Sequence, residues 1–274
     1  MERYSVLMSA YSKVVPSELK LSIESMLSQT VPPEQFVLVW DGPVSDELHA
    51  TVESFIVQYP DLFTVVQLEK NCGLAVALNS GITACRNDLI ARMDSDDFSL
   101  PFRCEKQLIE FEKNPSLALL GGHTQHFKVT PEEALDVYSK QPIGKKAIEQ
   151  CIRRNSAFSH PTVMFRKSAV LECGGYDPQL RRSQDHDLFS KMIYQGYDCA
   201  NLDEAVVMFR ADDNCMLRNR NKESCKARVI IQKRLYKRKQ CSLMDYLYIR
   251  IMVFMMQILP QKLYLKIYSL LKEK

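Results

Sequence analysis

Five short apolar runs, each separated from the next by a stretch of helical spacing, fill the first 122 residues and leave few folds open. The runs at 5–10, 36–39, 64–68, 89–93 and 117–120 read as strands, and the segments 18–27, 46–59, 74–84 and 103–112 as helices. A strand that returns to a parallel neighbour through a helix does so right-handed. The alternation therefore predicts an α/β fold with a mostly parallel, doubly wound sheet. Ligands of such sheets sit beyond the carboxyl ends of the strands. The second run ends in WDG at Asp41 and the fourth in MDSDD at Asp94, Asp96 and Asp97, so two acid-bearing ends should line one crevice.

After Gly122 the regularity fades. Residues 123–160 read as polar and irregular, with a helical stretch at 145–153. HPTVMFRKSAV, a GGYDP turn, a helix starting near Gln184 and a strand at 204–210 follow. No long Gly/Ser/Pro linker intervenes, which predicts a second half of one domain carrying the acceptor side. Residues 224–239 and 243–272 read as helices broken around Cys241 and Ser242 and at Pro260. The expected organisation is a catalytic domain over 1–224, with halves 1–122 and 123–224, and a helical extension over 225–274.

The formal charge of +3 hides an asymmetry: residues 225–274 hold twelve Lys/Arg against two Asp/Glu, and residues 1–224 twenty-four against thirty-one. Tyr, Ile, Leu, Met and Phe are interspersed with the basic residues, which favours an anionic lipid surface over nucleic acid as the partner of the extension. Leu243, Leu247, Ile251, Phe254 and Ile258 recur at helical spacing, as a core-packing face or an interfacial one. No stretch reaches the ~18 apolar residues a membrane span requires. The first residues lack the pattern of a signal peptide, and nine cysteines without paired metal-site spacing read as reduced thiols, so the expected location is the cytoplasm, peripheral at the inner face of the membrane. The oligomeric state is left open.

The acids at 94–97 suit a hard cation, Mn²⁺ or Mg²⁺, because such ions take carboxylate, phosphate and water oxygens. Asp96 could supply the metal ligand while Asp94 reaches a nucleoside; the bland alternative is an acidic turn before a helix capped by Ser99. Neither GxxxxGK[ST] nor GxGxxG occurs. Instead NCGLAVALNSG opens a helix whose Ala77 and Gly81 should pack closely on the sheet, and Asn71 and Asn79 either contact the nucleotide or hold its loop. Arg92 either pairs with an acid of the motif or contacts the donor. His160 is a structural histidine or a site residue. Arg103 and Lys106 lie on a solvated face or act near a diphosphate, and His186 could face solvent.

WDGP, EKNCGLAVALNSGI, LIARMDSDDFSLPFRCEKQ, HPTVMFRKSAV, GGYDP and SQDHDLF, in that order, resemble the family 2 inverting glycosyltransferases of the GT-A fold, of the type that builds bacterial O antigen, capsule or exopolysaccharide. The resemblance implies a Rossmann-like sheet with a fused acceptor-side half. It implies that Asp41 binds the nucleobase, Asp94 lies by the ribose or base, Asp96 coordinates Mn²⁺ or Mg²⁺, and Asp185 is the catalytic base. Gln184 stands where many members have Glu, and Asp187 reads as a support for the fold. Arg210 resembles the arginine of the family's closing strand, but the histidine often found shortly after it is absent, so a second phosphate contact would fall to Arg210, Arg218 or a neighbouring loop. Gln184, His160 and Arg210 are thus possible donor or acceptor contacts. The implied reaction takes a hexose, galactose or glucose, from a UDP donor to a lipid-diphosphate-linked saccharide. A nucleotidyltransferase acting on a sugar phosphate is the rival enzyme reading, and a non-catalytic membrane-associated scaffold the rival from outside enzymology.

Overall fold

The computed structural model describes residues 1–211 and 220–259. Two compact units emerge, Met1–Asp212 and Asp213–Lys274. The expected helix beyond Pro260 and the expected role of Arg218 lie outside the described residues.

The first unit is built on a nine-stranded sheet. Strands β1 (Tyr4–Ala10), β2 (Gln35–Trp40), β3 (Phe63–Gln67) and β4 (Leu89–Asp94) alternate with helices α1 (Pro16–Leu27), α2 (Asp46–Gln58) and α3 (Leu74–Ala84). They pair in parallel in the order β3-β2-β1-β4. Every residue of β2 is buried, as expected of an inner parallel strand covered on both faces. α1 starts on Pro16, which loses no helical hydrogen bond there, and Ser45 caps α2 by accepting from the Leu48 amide. α3 lies close on the sheet, since a methyl group on Gly81 would fall 2.3 Å from Leu7 and 2.8 Å from Val39.

Beyond β4 the chain departs from simple alternation. A two-residue strand β5 (Phe98–Ser99) and helix α4 (Arg103–Lys113) lead into β6 (Leu117–Phe127), followed by β7 (Ala134–Ser139), α5 (Lys145–Cys151), β8 (Met164–Arg166), α6 (Lys167–Glu172), α7 (Gln184–Tyr194) and β9 (Asp198–Arg210). β8 runs antiparallel between β4 and β6, and β9 runs parallel to β6. Following the pairings, β1, β2, β3, β4, β6 and β9 point one way and β5, β7 and β8 the other, so the sheet is mostly parallel.

The irregularity expected from residue 123 is corrected here. β6 runs through Gly121 and Gly122 to Phe127, so the division expected at 122 falls inside a strand shared by both halves. The glycines mark close approach instead of a turn: a methyl on Gly121 would meet Asn201 Oδ1 at 2.4 Å, and one on Gly122 would meet Val206 at 2.8 Å.

The second unit holds α8 (Lys222–Lys237) and α9 (Leu243–Ile258). Asn221 caps α8 by accepting from the Ser224 amide, and Ser242 with Asp245 forms a capping box at α9. Ile249, Val253 and Met256 of α9 bury against Cys225 of α8. The five residues read as an apolar face in the sequence lie on the other side: Leu243, Leu247, Ile251, Phe254 and Ile258 are all exposed.

Candidate active site

The register fixes where the acids stand. Ala10 at the end of β1 pairs with Trp40, and Ser9 with Asp94, so Asp41 and Asp94 flank the carboxyl end of β1 on its two sides. Two strand spacings put their backbones roughly 10 Å apart. The two ends are held in different ways.

Asp41 is buried and accepts from backbone donors. Its Oδ1 takes the Cys72 amide at 2.7 Å and its Oδ2 the Gly73 amide at 3.0 Å, while Asn71 Nδ2 donates to the Asp41 carbonyl at 3.2 Å. The carboxylate thus anchors the loop that starts α3. Asn71 stays at the exposed rim. Asn79 does not reach this loop. Its Nδ2 donates to the Tyr176 carbonyl at 2.8 Å and its Oδ1 accepts the Tyr176 amide at 2.9 Å, so what it holds is not the loop at Asp41 but the GGYDP turn, which it ties to α3.

At the end of β4 the acids surround one buried cation. Arg92 is 1% exposed and grips Asp94 with both terminal nitrogens, Nη1 to Oδ2 at 2.8 Å and Nη2 to Oδ1. Of the alternatives for Arg92, pairing within the motif is what the structure contains. Its Nε is buried without a partner. Asp97 is buried; its Oδ1 accepts the Arg210 amide at 2.9 Å, its Oδ2 has no partner, and burial followed by repulsion from Asp94 and Asp96 pushes its carboxyl well up. Asp96 opens to solvent at a crowded rim, where desolvation, then Asp94 and then Glu18 raise its carboxyl to about 6.

Arg210 closes this end from β9. Its Nε donates to the Asp96 carbonyl at 2.9 Å and lies 3.4 Å from Glu18, while Nη1 donates to the Val129 carbonyl at 2.7 Å. Its guanidinium thereby braces the acidic turn.

Residues that follow β6 in the chain feel the same charge. His160 Nε2 lies 2.9 Å from the buried Tyr176 hydroxyl, and desolvation followed by the charge of Arg92 holds the imidazole well below its usual range, hence neutral. Burial raises the Tyr176 phenol, which also feels Arg92, Asp185 and Asp94. Asp185 stands in the first turn of α7, half-buried; desolvation raises its carboxyl, while His186, first-turn backbone hydrogen bonding and Arg92 act against that rise. Gln184 beside it is buried, with Oε1 unpartnered. Asp94, His160, Tyr176 and Asp185 therefore share one field centred on Arg92.

Two expectations, for His186 and Arg103, are corrected, and the alternative left open for Lys106 falls to the solvated face. His186 is buried, its Nε2 2.8 Å from the Ile152 carbonyl, because this side of α7 packs on the segment after α5. Arg103 is fully buried and donates from Nη2 to the carbonyls of Arg92 at 2.7 Å and Val163 at 3.2 Å; Gln107 Nε2 adds bonds to the Leu120 and Thr162 carbonyls. The PFRCEKQ segment is thus a polar brace behind the site. Lys106 pairs with Glu204 and lies 4.2 Å over the Phe102 ring, away from the acids. Two residues were not named for the site in the sequence: Tyr176, which lies in the GGYDP motif and holds His160, and Glu18, which carried no signal and whose charge reaches Asp96 from α1.

The residues fit a divalent ion in one particular manner. Among the described residues no group of three side chains forms a metal cage. Asp96 nonetheless offers a solvent-facing carboxylate whose ionisation is opposed by neighbouring acids, a repulsion that a cation relieves. One protein carboxylate completed by phosphate oxygens and water is the usual habit of Mg²⁺ in phosphate sites.

The sequence model of glycosyl transferase family 2 matches residues 5–175. The amylovoran biosynthesis glycosyltransferase AmsE of Erwinia amylovora is 35% identical over 82% of this chain and 83% of its own length. An Escherichia coli UDP-Gal:alpha-D-GlcNAc-diphosphoundecaprenol beta-1,3-galactosyltransferase is 29% identical over 94% of this chain and 92% of its own. Among solved structures, the Pyrobaculum calidifontis mannosyltransferase PcManGT with GDP-Man and Mn²⁺ superposes with a TM-score of 0.64 at 15% identity, covering 86% of this chain and 64% of that one. TarS 1–349 of S. aureus with UDP-GlcNAc gives 0.63 at 18%, covering 84% and 65%. At such identities these two show the shared GT-A fold.

Proposed function

Because the chain belongs to glycosyltransferase family 2, we propose that it is an inverting enzyme that moves a hexose, galactose or glucose, from a UDP donor to a lipid-diphosphate-linked saccharide during synthesis of a bacterial surface polysaccharide. The family match favours transfer of a sugar over the nucleotidyltransferase and scaffold readings. The pathway and acceptor class are supported by the amylovoran and galactosyltransferase relatives, the second of which acts on a diphosphoundecaprenol-linked sugar by name. The basic extension suits work at the cytoplasmic face of a membrane carrying anionic lipid.

The observation that carries the mechanism is the common field of Arg92, which grips Asp94 and also acts on Asp185. In this reading Asp41 and Asn71 hold the nucleobase end, and the Arg92–Asp94 pair fixes the ribose side. Asp96 would hold Mn²⁺ or Mg²⁺, which supplies Lewis-acid neutralisation of the charge growing on the departing diphosphate. Asp185 takes the proton of the acceptor hydroxyl as its oxygen attacks the anomeric carbon, and burial makes that carboxylate a stronger base than an exposed one. Neutral His160, held by Tyr176, borders the acceptor side without adding charge. One displacement inverts the anomeric centre, so an α-configured UDP-sugar gives a β-linked product.

NMR of the product linkage tests inversion, and an α-linked product would rule it out. Asp185→Asn should keep donor affinity and lower kcat by ~10²–10⁴. Near-native kcat would remove Asp185 from the role.

A further inference from the structure

α9 carries two apolar faces, only one of which is buried among the described residues of its unit. Ile249, Val253 and Met256 are buried. Met244, Leu247, Ile251, Phe254, Met255 and Ile258 are 72%, 44%, 62%, 60%, 42% and 60% exposed. At helical pitch these six fall within roughly 100° of the circumference and run roughly 21 Å along the axis. The nearest charged neighbour in the sequence, Arg250, lies about 100° away from Ile251 and outside the stripe. A continuous exposed apolar stripe of this kind is an interaction surface.

Charge chooses the occupant. Residues 213–274 carry fifteen Lys/Arg against four Asp/Glu, and Lys226, Lys233, Lys237 and Lys239 of the described part are exposed. A second copy would bring the same excess of positive charge to the contact, which opposes pairing, whereas anionic lipid complements it. Helix length sets the mode, since no described helix is long and apolar enough to cross a membrane. We propose that α9 lies in the plane of the membrane interface with its Met244-to-Ile258 stripe in the acyl boundary, so that attachment rests on insertion and the basic residues add preference for anionic lipid. The choice of lipid rests on the proposed lipid-linked acceptor. Vesicle binding needs no sugar, so failure of the two ideas is distinguishable.

The test is vesicle sedimentation of the full chain with phosphatidylcholine alone and with added phosphatidylglycerol. Ile251→Asp/Phe254→Asp should weaken binding to both by about tenfold or more while helix content is unchanged. Lys233→Ala/Lys237→Ala should weaken binding by about fivefold per lysine on the anionic vesicles and little on the neutral ones. Phe254→Trp should show blue-shifted emission quenched by brominated acyl chains, against the single native tryptophan, Trp40, which is buried and serves as background. Unchanged vesicle binding by the double-Asp variant overturns the proposal. If that variant instead turns a dimer into a monomer in sedimentation velocity, the stripe joins two copies. If it lowers Tm by several degrees with vesicle binding unaltered, the stripe is covered by the chain itself, and the proposal falls in either case.

Discussion

The ends of β2 and β4 both finish in acids, and they solve the problem of buried negative charge in opposite ways. Asp41 spends its carboxylate on backbone amides of Cys72 and Gly73, a neutral set of donors that needs no counter-ion and fixes a loop. Asp94, Asp96 and Asp97 crowd together, and the Arg92 guanidinium and the Arg210 braces stand against their repulsion. A hydrogen-bonded acid stabilises the fold; a crowded set of acids holds back some stability and makes a place for positive charge. Asp41 should respond to mutation through the loop it holds, and the crowded end through stability at the Arg92–Asp94 pair and through ligand binding and turnover at Asp96.

Asp96→Ala gives the largest effect. Turnover of a UDP-sugar should fall by about 10³-fold, the scale of losing one preorganised electrostatic group, while the melting temperature stays level or rises because repulsion is relieved. Full activity of the variant in metal-free buffer would erase the contrast between the two ends. Arg92→Met comes next. Removing the cation leaves Asp94 uncompensated, and since that carboxylate is partly exposed, the low end of the buried-pair range applies, a loss of about 3 kcal/mol in a denaturant titration. Adding Asp94→Asn should restore part of the loss. If the double variant is as weak as the sum of the two changes, the pair is not the unit described here.

The β2 end is tested by Asp41→Ala, which strands two amides and should cost ~1–3 kcal/mol of stability, with a smaller effect on kcat than Asp96→Ala. Hydrogen exchange at Cys72 and Gly73 reads the cause directly: protection should be lost there and kept in β2. Retained protection would mean that the loop is held by something other than the carboxylate.

What the sequence made legible follows from range. The parallel half was readable because apolar runs and helical spacing are local, and the acids at Asp41 and Asp94 followed as strand ends. The antiparallel entry of β8 between β4 and β6 was not legible in HPTVMFRKSAV, because only three residues pair and they lie far along the chain from β4. Gly121 and Gly122 looked like the end of an element because a glycine needed for close approach is identical in sequence to one needed for a turn. Arg103 looked solvated because charged residues on helices usually are; the carbonyls of Arg92 and Val163 that satisfy it come from distant segments. Asn79 is the same lesson at the site, since its partner Tyr176 lies ninety-seven residues away. Contacts between distant segments decide which polar residues face a ligand and which hold the frame.

The smallest effect is the pH dependence of the acidic end, and its sign is opposite to that of a carboxylate stabilised by a partner. The Asp96 carboxyl is raised from the ordinary Asp range to about 6. Between roughly pH 4 and pH 6 the folded chain therefore holds a proton that the unfolded chain has released, so this group's contribution makes stability fall as pH rises through that window. Because Asp96 is exposed to solvent, screening keeps the contribution below about 1 kcal/mol. It should be visible as a difference between the wild-type chain and Asp96→Asn in metal-free melting curves across this window, with the variant losing less stability as pH rises. Mn²⁺ should cancel the difference at pH 7, where the carboxylate is free to bind it, and do so weakly at pH 5, where protons compete. A wild-type chain that gains stability relative to the variant between pH 4 and 6 would mean that Asp96 already has a positive partner, and the β4 end would then resemble the β2 end, each acid satisfied within the protein.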